Sequence, residues 1–598
     1  MIMKELQFPF DTDYILSKKK RIRRELLEKS KDCVEKRIAI LGGSTTSNIK
    51  QIMELFLLNE GIKPVFYESE YNQWYEDAMF ANQELLQFRP EIIYIHTTNR
   101  NVIHWPLISD SEEVVSGKVE QEYSRFHEVW KRLWDVYSCP IIQNNFELPY
   151  HRVMGNRESW DIHGKIHFIN RLNEKFYKYA REHDNFYICD IMYLSSDYGL
   201  SKWSDPFYWH MYKYALSVPA IPYLSFNVAN IIKSILGKNK KALVLDLDNT
   251  LWGGVVADDG VNGIQIGQET SEGQTFLEFQ DYLHKQQDIG ILLTVNSKND
   301  HENAILGLGH PDGILKEKDF ACIMANWEPK SDNLRKIALE LKLLPESLVF
   351  VDDNPAERAI VSGYYPNVSV PEIGEPYNYI YVLDRSGFFE VTNLSQDDMK
   401  RNEMYRDNLL RTQMQSEFTN YDDYLRSLEM SAVIKSFDDI HYSRIAQLSN
   451  KSNQFNVTTK RYTQPEIEMI AQDDSYIKLY GRLKDKFGDN GLVSVVIGSI
   501  KEKTCHMDLW IMSCRVLKRD MEFAMLDKLV EHCIQKGIEE IRGYYYPTMK
   551  NAMVFDLYER FGFVKIAEDE LKNTVWSYVI QDVYSKKNNF IEVKESDE

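Results

Sequence analysis

Cysteine is scarce in this chain. Seven residues in 598, an odd number with no Cys-x-x-Cys pair, exclude a disulfide framework or a zinc ribbon and predict reduced thiols in a cytoplasmic protein. Long apolar runs are missing as well. No stretch reaches the ~18 apolar residues of a spanning helix. The first residues also hold no signal-length apolar segment before the charged stretch 18–24, so neither membrane insertion nor secretion is expected. Positive charge is in deficit, with 71 Lys and Arg against 90 Asp and Glu. The net charge of −19 argues against nucleic acid or an anionic membrane as a partner, because clustered cations hold both. Any phosphate site must therefore be local. Apolar mass is not lacking: 43% hydrophobic residues in a chain of this length suffice for three or four packed domains.

The most informative stretch is the apolar run 242–245, which ends in Asp246 and Asp248 with Thr250 close behind. Four β-favouring residues between polar ones predict a buried parallel strand, and open α/β sheets bind ligands beyond the carboxyl ends of such strands. Alternate residues of a strand share a face, so the two carboxylates point the same way unless the chain has begun to turn. Such a pair suits phosphoryl transfer. One carboxylate attacks phosphorus while the other moves the proton, and the negative charge gathered there calls for Mg²⁺ and a lysine.

Three further strand ends follow in order. Residues 291–295 run into Asn296, Ser297 and Asn299, where a hydroxyl can hold a phosphate oxygen. Lys330 precedes a helical pattern over 333–341 and can neutralise the phosphate and the nucleophile. The run 348–351 ends in Asp352 and Asp353, a second carboxylate pair suited to magnesium. Each signal alone also reads as a helix cap, a solvated charge or a turn. Together and in sequence they resemble the haloacid dehalogenase superfamily, with Asp246, Ser297, Lys330 and Asp352/Asp353 on its four motifs.

The wording of residues 245–255, 326–330 and 350–358 is similar to the FkbH-like proteins of that superfamily. The resemblance implies a Mg²⁺-dependent enzyme with Asp246 as nucleophile, Asp248 as acid/base, Ser297 and Lys330 assisting, and Thr250 and Asn299 towards the substrate. The metal would be held by Asp246, Asp248 (through its carbonyl), Asp352 and Asp353. It further implies that an acyl phosphate such as 1,3-bisphosphoglycerate is dephosphorylated and its glyceryl unit loaded on the phosphopantetheine arm of an acyl carrier protein. Two alternatives stand beside this one: a small-metabolite phosphatase, and a scaffold with degenerate acyltransferase and esterase domains.

Around that centre the expected architecture is multidomain α/β. Residues 1–236 alternate strands at 37–41, 64–67, 92–95 and 140–143 with helical stretches after a basic lead-in over 18–36, which predicts a parallel layer. Ser44, Asn99, Asp205 and His210 there resemble an SGNH hydrolase. The aspartate usual before the serine is missing, and His210 lies five residues after Asp205, so this domain is expected to dock or shape rather than hydrolyse. A polar linker leads into a Rossmann-like domain over 237–390. The roughly fifty residues from Asp246 to Ser297 leave no room for a large cap.

A connecting helix is expected over 391–424, then a domain over 425–585 resembling the GNAT acyltransferases (α+β), then a charged, frayed tail over 586–598. Lys518 and Asp520 stand where GNAT proteins carry the glycines of their phosphate loop, which argues against acetyl-CoA use. Lys460, Arg461, Arg515, Lys518 and Arg519 are candidates for a pantetheine phosphate, or else an ordinary solvated face. Cys514 is the candidate thiol for an acyl-enzyme, against the plain reading of a buried thiol at a strand end. A thiol at position 296 would stand nearer the phosphate centre, but this chain has Asn296 there.

Overall fold

Isoleucine, alanine and leucine at 38–41 make the second half of the strand Val34–Gly42 (β1) fully buried, whereas its first half is mostly polar and partly exposed. Near-continuous apolar runs of this kind belong to strands covered on both faces. β1 pairs in parallel with Ile62–Glu68 (β2) on one side and Ile92–His96 (β3) on the other. Ile141–Asn144 (β4) and Phe186–Cys189 (β5) extend the sheet, giving the order β2-β1-β3-β4-β5. The order reverses between β1 and β3, so the crevice of this doubly wound sheet opens at the carboxyl ends of those two strands.

The computed structural model describes all residues except 1, 2, 30–32, 81, 453, 549, 582 and 596–598. Of the basic lead-in, the part up to residue 28 belongs to the helix Thr12–Glu28, and residues 30–32 lie outside the described residues. The chain forms two compact units. One comprises the residues up to Ile235 together with Arg385–Thr392, and the other Leu236–Asp384 with all that follows Thr392. No described helix is long and apolar enough to cross a membrane.

The second unit contains two sheets. Ala242–Leu245 (β6), Leu292–Ser297 (β7), Cys322–Ala325 (β8) and Leu348–Val351 (β9) form a parallel sheet in the order β8-β7-β6-β9. Between β6 and β7 lie a four-residue helix, Val256–Asp259, a single bridge from Gly253 to Gln265 and the helix Ser271–Asp288.

The second sheet has eight strands: Met430–Ser436 (β10), Tyr476–Asp485 (β11), Gly488–Lys501 (β12), Thr504–Met512 (β13), Glu540–Tyr545 (β14), Val564–Glu568 (β15), Thr574–Val579 (β16) and Ile591–Lys594 (β17). β13 and β14 pair in parallel only from Thr504 to His506. Beyond that point the segment around Val457 bridges them, its amide donating to Trp510 and its carbonyl accepting from Tyr546.

Two expectations are corrected here. The single connecting helix expected over 391–424 is three helices, Gln396–Met399, Arg401–Gln415 and Tyr421–Ser427, and the middle one packs on both sheets. Arg401 donates to the Gly290 carbonyl at 3.0 Å, Tyr405 packs into the core of the four-stranded sheet, and Arg411 is bonded to Asp485 at 2.6 and 2.8 Å. This helix thus ties both sheets into one unit. The terminal segment is not frayed up to Lys594 either, because β17 pairs with β10 and buries Ile591.

Candidate active site

In register, Leu245 of β6 lies beside Val351 of β9, and the Asp246 amide donates to the Val351 carbonyl at 2.9 Å. Asp246 and Asp352 therefore leave neighbouring strands at the same level. Since adjacent strands run ~4.8 Å apart, their carboxylates must meet. Asp246, Asp352 and Asp353 present oxygens that all lie within 4.8 Å of one another. Lys330 opens the helix Lys330–Glu340 after β8, and its ammonium reaches Asp246 Oδ2 at 2.9 Å and Asp352 Oδ2 at 2.6 Å.

Beyond Asp246 the chain turns, with Asn249 at a φ of +55°. Asp248 is held on both oxygens: Oδ1 accepts from Trp252 Nε1 at 2.9 Å and the Val256 amide at 3.0 Å, and Oδ2 accepts from Asn299 Nδ2 at 3.0 Å. Asn299, expected towards the substrate, is thus a partner of Asp248. Thr250 Oγ1 accepts from the Asp353 amide at 3.3 Å and so secures the second acidic turn. Ser297 ends β7, buried, its carbonyl accepting from the Asn326 amide at 3.2 Å. Sequence reasoning missed Arg358, whose guanidinium holds the carbonyls of Asp352 and Asp353 at 2.8 and 2.7 Å. Its place in the acidic motif was the available signal.

Burial shapes the electrostatics. It pushes the Asp352 carboxyl up to about 6, with Asp246 adding to the rise and Lys330 opposing it. Burial and then Asp246 raise Asp353. Asp248 is also raised by burial, against the Val256 and Trp252 hydrogen bonds that favour its charged form. For Lys330 burial acts downward, but Asp246 and Asp352 together outweigh it and hold its pKa above the usual value. One ammonium faces three carboxylates. Asp246 Oδ1, moreover, is buried with no hydrogen-bond partner. An orphaned carboxylate oxygen among hard oxygen donors, with no His or Cys in the cluster, fits a Mg²⁺-like cation.

Cys514 does not join this centre. It lines a cavity with Lys241 and Ser347, which precede β6 and β9 at their amino ends. Asp246 stands at the carboxyl end of β6, five residues and hence about 16 Å further along the strand direction. The other cations expected around a pantetheine phosphate are dispersed too. Lys460 pairs with Asp508, and Arg461 donates to the Asn450 carbonyl. Arg515 is buried against Ser513 Oγ at 3.2 Å. Arg519 shares Asp485 with Arg411. Lys518 and Asp520 keep the left-handed backbone that glycine would favour, at φ of +64° and +60°.

In the first unit, Ser44 Oγ is buried without a partner. Asn99 turns its amide to the carbonyls of Glu147 and Leu148. It is Asn101 that donates to the Gly43 carbonyl, at 2.8 Å, so close that a Cβ on Gly43 would lie 2.4 Å from it. Asp205 caps the helix Pro206–Tyr212 by accepting from the Phe207 amide at 2.8 Å, and His210 is exposed. Among the described residues no hydrogen bond links Ser44, Asp205 and His210. The buried imidazole here is His96, lowered by desolvation to about 4 and therefore neutral.

Comparison with known proteins adds the following. No curated protein sequence matches the chain. The N-terminal part of a Bacteroides fragilis protein, containing a phosphatase domain and complexed with Mg, is 29% identical with a TM-score of 0.58. The match covers 63% of this chain and 99% of that one. The ribosomal-protein-S18-alanine N-acetyltransferase of Escherichia coli is 12% identical with a TM-score of 0.21, over 27% of this chain and 99% of its own. Residues 37–233 match the model of the FkbH N-terminal domain. Residues 37–233 thus form an FkbH N-terminal domain, and the chain is similar to a protein with a phosphatase domain over 63% of its length.

Proposed function

We propose that the Asp246 centre is a Mg²⁺-dependent phosphatase site of the haloacid dehalogenase type, working within a glyceryl-loading enzyme. The observation that carries this is the Lys330 ammonium between Asp246 and Asp352, with Asp246 Oδ1 left unsatisfied beside them. The mechanism follows from these groups. An Asp246 oxygen attacks phosphorus, the bond to the leaving oxygen breaks with its electron pair, and Asp248 delivers a proton to that oxygen. Water then attacks the aspartyl phosphate, Asp248 takes its proton, and the Asp246 carboxylate is restored. Lys330 pairs with Asp246 and neutralises the transferring group. Asp246, the Asp248 carbonyl and Asp352, with Asp353 as ligand or orienting partner, would hold Mg²⁺, which would supply the remaining positive charge.

Chemistry limits which phosphate this centre removes. Attack by Asp246 on an acyl phosphate would release a free carboxylate and discharge the activated carbonyl. In 1,3-bisphosphoglycerate the Asp246 centre therefore suits the 3-phosphate ester. The acyl phosphate is left for a thiol, which attacks the carbonyl carbon, expels phosphate with its bridging oxygen and gives a thioester. Among the described residues the acidic cluster of Asp246, Asp352 and Asp353 includes no cysteine, and Cys514 lines the cavity at the opposite end of the sheet. The accepting thiol is accordingly assigned to the phosphopantetheine arm of a carrier protein. The same observation favours a second reading, a plain metabolite phosphatase, which needs only the Asp246 centre.

Intact-mass analysis separates the two. A phosphopantetheinylated carrier is incubated with the protein, Mg²⁺ and 1,3-bisphosphoglycerate. A carrier heavier by one glyceryl unit supports loading, and phosphate release with an unmodified carrier leaves the phosphatase. An Asp246→Asn variant that still releases phosphate at the parental rate would remove both.

A further inference from the structure

The amino-terminal ends of β6 and β9 face a cavity of about 80 Å³. Lys241 and Ser347 are joined there by a 2.8 Å hydrogen bond from the Lys241 amide to the Ser347 carbonyl, and the end of β13 with Cys514 and Arg515 supplies the facing wall. Five cations line it, Lys241, Lys342, Arg401, Arg444 and Arg515, with no Asp or Glu among the lining residues. In a chain of net charge −19 this is a local reversal of sign.

Two of the five are neutralised, Arg401 by Asp398 and Arg444 by Asp397. Among the described residues no carboxylate lies within 4.0 Å of the charged groups of Lys241, Lys342 or Arg515. Arg515 is only 6% exposed, and its donors meet Ser513 Oγ and the Met404 sulfur, both uncharged. Burying a guanidinium without an anion is costly, as is gathering like charges out of water. Lys241 shows the strain: burial, reinforced by Arg401 and Arg515 and opposed by Cys514, holds its ammonium below the usual range.

We propose that this cavity binds a phosphate group, either the free ion or the end of a small organic ester. The charge matches, since a phosphate monoester carries about −1.5 to −2 at neutral pH and three cations here have no carboxylate. The size matches as well, the volume being about half the ~150 Å³ that admits a benzene ring and enough for a five-atom group. Lys342 is solvent-exposed, so an ester would extend past it. The site stands about 16 Å of strand away from Asp246 and is independent of the phosphatase reading.

Cys514, half-buried on the wall, reports on occupancy. The full chain is treated with iodoacetamide in EDTA, and the alkylation rate of Cys514 is read by peptide mass spectrometry. Inorganic phosphate, glycerol 3-phosphate and glycerol are compared. At ten times its Kd, a phosphate that shields the thiol slows alkylation about tenfold, and glycerol leaves it unchanged. Stronger protection by inorganic phosphate assigns the free ion, and stronger protection by glycerol 3-phosphate assigns an ester. Lys241→Gln and Lys342→Gln should each weaken protection, the second at an exposed position where folding is safe. Rates indifferent to both phosphates, or protection undiminished in folded lysine variants, would overturn the proposal.

Discussion

The Lys330 ammonium lies 2.6 Å from Asp352 Oδ2 in a site where the lysine is 3% exposed and the aspartate fully buried. Removing one member of a buried ion pair leaves the other uncompensated, at about 3–5 kcal/mol. Lys330→Met should therefore destabilise the second unit by that amount in EDTA, as read by urea denaturation, and added Mg²⁺ should recover part of the loss. An unchanged midpoint in EDTA would mean that the pair contributes nothing to folding.

Asp248→Asn retains an oxygen for Trp252 Nε1 and the Val256 amide, so the loop should hold its shape. Phosphate release from an alkyl phosphate should fall by about 10² to 10⁴. The loss should be smaller with p-nitrophenyl phosphate, whose leaving group needs little protonation. Equal losses on both substrates would show that Asp248 acts by position and not by proton transfer.

The raised Asp352 pKa links metal binding to pH. Because burial and Asp246 hold this carboxyl near 6, below that pH the folded protein carries a proton that Mg²⁺ must displace. Apparent Mg²⁺ affinity should fall by up to about tenfold per pH unit below 6 and level off above it. Isothermal titration between pH 5 and 8 checks the sign. An affinity that rises on acidification contradicts the assignment of Asp352 as a ligand.

Asp485 has a fully buried side chain and joins Arg411, at 2.6 Å, to Arg519, at 3.1 Å. Burial already lowers the Arg519 pKa to about 10, with Arg411 contributing and Asp485 opposing. Asp485→Ala strands two guanidinium groups in the core and should cost about 3–5 kcal/mol in chemical denaturation of the second unit. A loss within about 0.5 kcal/mol would show that water reaches the pair.

The strand-end motifs are legible because they obey local rules. Four-residue apolar runs read as buried parallel strands, and a parallel sheet necessarily brings its carboxyl ends to one edge. Asp246, Ser297, Lys330 and Asp352 therefore group together on sequence order alone. Asn299 belongs to the same set of strand-end residues, but its bond to Asp248 crosses 51 positions and depends on how two loops meet. In the first unit the expected Asn99 gives way to Asn101, since two residues in one short turn are separated only by which way the backbone faces.

Strand period, apolar runs and the order of charged residues are local properties, so the chemistry at the edge of the β6–β9 sheet is readable along the chain. Only the tertiary structure decided which end of that sheet each residue faces. Cys514 sits in a motif that reads as reactive, yet the packing of β13 places it beside Lys241, a strand length from Asp246. Arg515 and Arg519 read as candidates for a pantetheine phosphate or as a solvated face, and are buried among Ser513, Met404 and Asp485. The physical reason is common to these cases. A charge's worth depends on what surrounds it, and its surroundings come from segments a hundred residues away.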